Sequence, residues 1–127
     1  INTITQDNDG FLWFGAIQGL ARYDGYSLKT YQHQIDDPSS LSHNWVKSLM
    51  VDSKQQLWAV TLSGLCRYLR TQDAFDCITY PRDRETDAPG TIYAMFEDSI
   101  GRYWVSTGRG IRLLDPTQKH SGMHRSR

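Results

Sequence analysis

Short apolar stretches with a two-residue period recur along the chain and are separated by polar clusters. In the middle of the chain four such stretches follow one another, at residues 46–51, 57–61, 64–69 and 74–80. Alternation of this kind is typical of half-buried strands, and no stretch keeps the 3.6-residue period of an amphipathic helix. The pattern therefore predicts an all-β chain with four strands in a unit of about 45 residues.

The same unit occurs three times. Its clearest markers are Trp13, Trp58 and Trp104, which are separated by 45 and 46 positions. A glycine and an aspartate repeat with the same two separations, as Gly19, Gly64 and Gly110 and as Asp7, Asp52 and Asp98. Shared spacing at three markers indicates an internal repeat.

A four-stranded unit of this length, repeated along a chain, is typical of β-propeller blades. We predict a first blade at 1–34 with a truncated inner strand, a second at 35–80, a third at 81–116 with a missing or incomplete outer strand, and a tail at 117–127. A β-sandwich is the alternative, but it explains the strands and not the repeat. A closed ring of 4 to 8 blades needs about 180 to 360 residues. We therefore expect further blades of a parent protein, or further copies of the chain, to cover the open faces.

Composition and charge argue against several function classes. The chain has 14 basic and 14 acidic side chains, and this balance argues against a general nucleic-acid binder. No stretch of about 18 apolar residues is present, so direct membrane insertion is not expected. His120 and His124 have the spacing of a helical zinc pair, but no helix is predicted there and no Glu follows His120. We expect neither a metal nor a cofactor.

Cys66 and Cys77 lie in consecutive predicted strands. If the hairpin between these strands turns through Thr71 and Gln72, paired residue numbers sum to 143 and the two cysteines oppose each other. Opposed Cα atoms are about 4.5 to 5.5 Å apart, which is within disulfide range. Two interpretations stay open: a cross-strand disulfide, and a pair of buried free thiols, which we favour because bridges of this kind are uncommon.

The repeat resembles the two-component regulator propeller repeat, in which an aspartate turn precedes Leu-Trp-x-Gly and then Gly-Leu-x-Arg-Tyr-Asp. The first copy matches best. The second departs at Gln55 and Val60, where the family has glycine, and the third carries Leu113 and Leu114 in place of Arg-Tyr. The resemblance implies part of a seven-bladed periplasmic sensor propeller, ahead of a transmembrane helix and a histidine kinase, diguanylate cyclase or regulator output. It also implies a non-catalytic chain that binds a small ligand, and oligosaccharides are common ligands of relatives.

Candidate ligand-binding residues lie on the face formed by the connections between blades, because loops on a rigid scaffold carry function disproportionately. Trp45 follows His43 and Asn44 at the point where a connection enters an inner strand. Arg109 lies in a glycine-flanked turn, where its guanidinium can hold a carboxylate or sulfate, and Arg84 is a further candidate in a charged loop. The alternative interpretation is interblade packing for Trp45 and simple solvation for the arginines.

Two alternative functions stay open. The aspartate turn also resembles the Asp-box of sialidase-like propellers, which favours a glycoside hydrolase or lyase, although such chemistry needs acids that converge on the channel. The repeated aspartates instead lie at turns, and the repeated tryptophans lie mid-strand, where packing between blades is the expected role. A passive protein-interaction propeller is the other alternative.

Overall fold

The computed structural model describes residues 2–79, 92–107, 110–114 and 123–125. These residues form three four-stranded antiparallel sheets, and the part of the chain described here contains no helix. Within those same residues, accordingly, no apolar helix reaches the length needed to cross a bilayer. The all-β prediction is confirmed.

Each sheet is a meander in which every strand pairs with the next strand along the chain. The first blade comprises β1 (Thr3–Gln6), β2 (Leu12–Ala16), β3 (Gly19–Tyr23) and β4 (Leu28–Tyr31). The second comprises β5 (Val46–Val51), β6 (Leu57–Thr61), β7 (Gly64–Leu69) and β8 (Ala74–Thr79). The third comprises β9 (Ile92–Glu97), β10 (Tyr103–Thr107), β11 (Gly110–Leu114) and β12 (Met123–Arg125). The four apolar stretches that the sequence shows in the second repeat coincide with β5 to β8.

The third blade differs from the sequence expectation at its outer strand. The sequence predicts a missing or incomplete strand there and a tail at 117–127, but the structure places β12 inside that segment. The backbone of β12 pairs with β11, with Met123 opposite Leu114 and Arg125 opposite Arg112. An edge strand is held by backbone hydrogen bonds to one neighbour, so it needs no apolar period that a sequence would reveal. The third blade therefore has four strands.

Cys66 on β7 and Cys77 on β8 are directly opposed, as the hairpin register predicts. Their Cα atoms are 4.0 Å apart and their sulfur atoms form a disulfide. The structure thus differs from the favoured expectation of two free thiols. The reason is local, because the β7–β8 register places the two cysteines directly opposite each other and so brings their sulfur atoms together.

The blades stack face to face, and their first strands, β1, β5 and β9, make the most extensive contacts between sheets. Two clusters of buried side chains fill the spaces between the blades. The first joins Trp13 and Leu20 to Val46, Leu57 and Phe75, and the second joins Trp58 and Leu65 to Ile92, Met95 and Tyr103. Each large apolar side chain buried in this way contributes about 1.5 to 3 kcal/mol. The core of the molecule is therefore the pair of interfaces between sheets.

Trp13 and Trp58 each point toward the following blade, and we call the side of a blade that carries its repeated tryptophan the tryptophan face. On the third blade the tryptophan face has no described neighbour, and Phe96 and Ile111 on it are 65% and 58% exposed. The opposite face of the first blade is also open, and it exposes Ile4 and Leu28. Both ends of the three-blade stack thus expose apolar sheet.

Candidate ligand-binding site

The repeated aspartates build the turns between the first and second strands of every blade. One carboxylate oxygen accepts hydrogen bonds from the backbone N–H groups two and four residues further on. The other oxygen accepts from the tryptophan Nε1 at 2.8 Å, in the pairs Asp7 with Trp13, Asp52 with Trp58 and Asp98 with Trp104. The hydrogen bond from Trp104 is the main reason why the pKa of Asp98 lies well below its ordinary value. These carboxylates hold the repeat together, which leaves them poorly placed for acid–base chemistry on a substrate.

The arginine that follows the tryptophan at the same spacing in the first two blades also has a structural role. Arg22 and Arg67 each pair across the strands with the repeated tryptophan of their blade. Their guanidinium carbons lie 5.8 Å and 5.9 Å from the centres of the Trp13 and Trp58 rings, within cation–π range. In the third blade Leu113 takes this position, and Arg102 lies over Trp104 instead, at 5.4 Å.

The connection between the first and second blades holds three of the sequence-selected candidates. The backbone N–H of His33 donates to Asn44 Oδ1 at 2.6 Å, and the backbone N–H of Trp45 donates to His43 Nδ1 at 3.0 Å. His43 and Asn44 therefore shape the connection itself. The Trp45 side chain is 37% exposed, while its backbone oxygen accepts from the N–H of Leu62 at 3.0 Å. Trp45 is thus an accessible ring on a fixed backbone.

Two further residues join Trp45 that the sequence pattern did not single out. The Lys47 ammonium lies 5.3 Å from the centre of the Trp45 ring and 4.7 Å from the centre of the Tyr93 ring. Tyr93 lies on β9 of the next blade and is 54% exposed. Lys47 and Tyr93 are 46 positions apart, so they occupy equivalent positions of the second and third repeats, although their side chains differ. We call Trp45, Lys47 and Tyr93 the aromatic–lysine cluster.

The remaining two candidates, Arg84 and Arg109, lie outside the described residues. Among the residues that are described, no group of three or more His, Cys, Asp or Glu side chains is arranged to hold a metal ion.

A polar cluster around Asp73 joins the outer parts of the first and second blades. The hydroxyl groups of Tyr31 and Tyr68 both donate to Asp73 Oδ1 at 2.6 Å, and the Lys29 ammonium contacts Oδ2. Arg22 donates to the Tyr68 hydroxyl at 2.9 Å. Partial burial raises the pKa of Asp73, but the hydrogen bonds from Lys29, Tyr31 and Tyr68 outweigh it and lower the pKa to about 2. Burial, followed by the hydrogen bond to Asp73, raises the pKa of Tyr31 far above its ordinary value. The polar groups of this cluster bond one another across the two blades, so the cluster has a structural role.

Solved structures with the same fold cover nearly the whole chain. The extracellular domain of the hybrid two component system BT3049 from B. thetaiotaomicron is 27% identical with a TM-score of 0.75, and the match covers 98% of this chain and 18% of that chain. The corresponding domain of BT4673 from the same organism is 28% identical with a TM-score of 0.76, over 99% of this chain and 18% of that chain. Virginiamycin B lyase from Staphylococcus aureus is 16% identical with a TM-score of 0.66, over 93% of this chain and 39% of that chain. This last likeness concerns the fold alone.

Among curated proteins, Histidine kinase P4 of Formosa agariphila is 39% identical over 64 residues, which is 47% of this chain and 5% of the kinase. The chain thus spans a small part of every relative named here. The family model for the two component regulator propeller matches residues 1–18 and 87–109, in the first and third repeats. The second repeat, which lacks glycine at Gln55 and Val60, lies outside these matches. The blades are those of a β-propeller, and two of the three repeats match the model of the two component regulator propeller.

Proposed function

We propose that this chain is part of the ligand-sensing propeller of a bacterial two-component signalling receptor and has no catalytic role of its own. The observation that carries the proposal is the similarity over 98% of the chain to an extracellular domain of a hybrid two component system. The three-blade architecture supports the same interpretation, because a propeller needs further blades to cover both open faces. The remaining blades of the parent protein are therefore its first partners.

We further propose a periplasmic location. The Cys66–Cys77 disulfide supports it, since disulfides persist mainly in oxidising compartments. In this arrangement the ligand is a small molecule such as an oligosaccharide. It acts through a difference in its affinity for two arrangements of the receptor, and the output domains report that difference.

The experiment is a thermal-shift screen of the complete propeller domain against a panel of oligosaccharides. A sensor should give a saturable rise in melting temperature with one chemical class, because a ligand that binds only the folded state stabilises it. Trp45→Ala should weaken that rise, whereas Tyr26→Ala should leave it unchanged, because Tyr26 is 98% exposed at a hairpin tip remote from the connection. A panel that produces no shift would contradict the sensor role and favour a protein-interaction propeller.

A propeller enzyme is the second candidate, because the repeated aspartate turn also resembles the Asp-box of sialidase-like propellers. The same incubations should therefore be followed by mass spectrometry for cleavage products. Intact saccharides after prolonged incubation are the expected result, because the three repeated carboxylates are all engaged in turns. Ligand breakdown that depends on the propeller would overturn the non-catalytic assignment.

A further inference from the structure

The aromatic–lysine cluster rests on a backbone irregularity that occurs at the same place in two blades. On β5, Val46 pairs with Thr61 and Ser48 pairs with Val60, so Lys47 has no partner on β6. On β9, Ile92 pairs with Thr107 and Ala94 pairs with Ser106, so Tyr93 has no partner on β10. Each of these residues is the extra residue of a β-bulge at the start of the inner strand of its blade. Bulges re-aim side chains, and they are common next to binding and active sites.

The bulges bring side chains from two blades together. Lys47 belongs to the second blade and Tyr93 to the third, and the ammonium lies within cation–π range of Tyr93 and of Trp45. Contact with two rings restricts the long lysine side chain, and this lowers the conformational entropy that a ligand must otherwise remove.

The charge of Lys47 is available to a ligand. Among the residues that the structure describes, no carboxylate forms an ion pair with Lys47, while Arg22, Lys29, Arg67, Arg70 and Arg102 all have one. Aromatic faces accept no conventional hydrogen bond, so the three N–H donors of the ammonium lack an oxygen partner from this part of the chain. The two rings beside it are 37% and 54% exposed.

We propose that Trp45, Lys47 and Tyr93 form a binding site for an acidic sugar. The apolar C–H face of a pyranose ring stacks on an aromatic ring, and the anionic group of the sugar accepts hydrogen bonds from the Lys47 ammonium. Such charge-assisted hydrogen bonds are about twice as strong as neutral ones. The anion is a carboxylate in a uronic acid or a sulfate in a sulfated sugar, and the two sources share this chemistry. The inference deepens the proposed sensor function and rests on it.

The test measures binding of three probes to the complete propeller domain by isothermal titration calorimetry. The probes are an oligogalacturonate, a sulfated galactose oligomer and the neutral galactose oligomer of the same length. We expect at least one acidic probe to bind more tightly than the neutral oligomer, with an affinity that falls as salt increases. The relative affinities of the two acidic probes identify the source of the anion.

Variants locate the binding. Lys47→Met removes the charge and keeps the aliphatic stem, and it should weaken binding of the acidic probe by about 10- to 100-fold. Tyr93→Leu should weaken binding of the acidic and the neutral probes alike, since it removes an aromatic ring on which a sugar stacks. Lys54→Met is the matched control, because Lys54 is an exposed lysine in the β5–β6 turn of the same blade. Unchanged denaturation midpoints of the variants exclude a general loss of folding.

Several results would overturn the assignment. If Lys47→Met binds the acidic probe as tightly as the wild type, the sugar binds elsewhere and the sensor function stands without this site. If only the neutral oligomer binds, the acidic-sugar assignment is wrong and the sensor function again stands. If none of the probes binds, the assignment is overturned, and the sensor function is then decided separately by the broader panel.

Discussion

Asp52 accepts four hydrogen bonds at the junction of the second and third blades. The donors are the backbone N–H groups of Lys54 and Gln56, Trp58 Nε1, and the hydroxyl of Tyr103 in the next blade. Asp52 is buried, whereas the equivalent Asp7 and Asp98 are half-buried. A single carboxylate therefore closes a turn, orients a core tryptophan and links two blades.

Asp52→Ala should lower the free energy of unfolding by about 3 to 5 kcal/mol, because four donors lose their acceptor and two of these hydrogen bonds are buried. Urea denaturation followed by tryptophan fluorescence measures this change. Asp36→Ala is the control, since Asp36 is exposed and has no hydrogen bond among the described residues. Equal effects of the two substitutions would show that the Asp52 network adds nothing beyond a surface aspartate.

Asp73, also at the scale of single residues, allows a prediction about how stability depends on pH. Its pKa falls from 3.8 to about 2 in the folded chain, so the folded state favours the charged carboxylate. The stability that this carboxylate adds is complete above pH 4 or so and is lost as the pH falls toward about 2. Asp73 also has a φ of 52°, a left-handed conformation that asparagine tolerates well.

Asp73→Asn therefore removes the charge without new backbone strain. At about pH 6 the variant should be less stable than the wild type, and the difference should shrink as the pH approaches about 2. Guanidinium denaturation at a series of pH values tests this. A stability difference that stays constant over the series would mean that the charge of Asp73 does not support the contact between blades.

At the scale of elements, the β7–β8 hairpin carries the disulfide. Cys66 and Cys77 are 11 positions apart, and a loop of this length gives a stabilisation of about 2 to 3 kcal/mol through restriction of the unfolded chain. The double substitution Cys66→Ala with Cys77→Ala should lower stability by that amount, and reductant should affect only the wild type. The intact mass should rise by two hydrogen atoms on reduction. An unchanged mass would show that the thiols are free in the isolated protein.

The sequence predicts those elements whose signal is local. The four strands of the second blade and the Cys66–Cys77 register follow from apolar alternation and from one turn position, because the pleat and the ladder obey simple periods. The bulges at Lys47 and Tyr93 cannot be predicted from the sequence in this way, since an extra residue in a strand leaves no mark in its composition. The candidate site was therefore predicted only at Trp45. Strand β12 was missed for a similar reason, as an edge strand needs only backbone pairing.

At the scale of the whole molecule, the apolar faces at the two ends of the blade stack determine how the chain associates. The tryptophan face of the third blade exposes Phe96 and Ile111, and equivalent faces of the other two blades are buried. Burial of comparable sheet contributes most of the stability of the two interfaces described above. The 127-residue chain by itself should therefore associate in solution.

Light scattering at several concentrations measures this association. The double substitution Phe96→Lys with Ile111→Lys should shift the chain toward the monomer, because two charges on the tryptophan face cannot be buried without partners. Tyr26→Lys is the control, since Tyr26 is exposed at the β3–β4 hairpin tip of the first blade and does not lie on the tryptophan face of the third blade. A monodisperse wild-type monomer would contradict the prediction.

The orientation of the tryptophan face gives the stack of blades a direction. Both interfaces that the structure describes pack a tryptophan face against the opposite face of the next blade, so they are head-to-tail and of one kind. Duplication or loss of one repeat in a gene would leave each remaining junction with the same two kinds of surface. The number of blades in such proteins can thus change during evolution without the invention of a new interface.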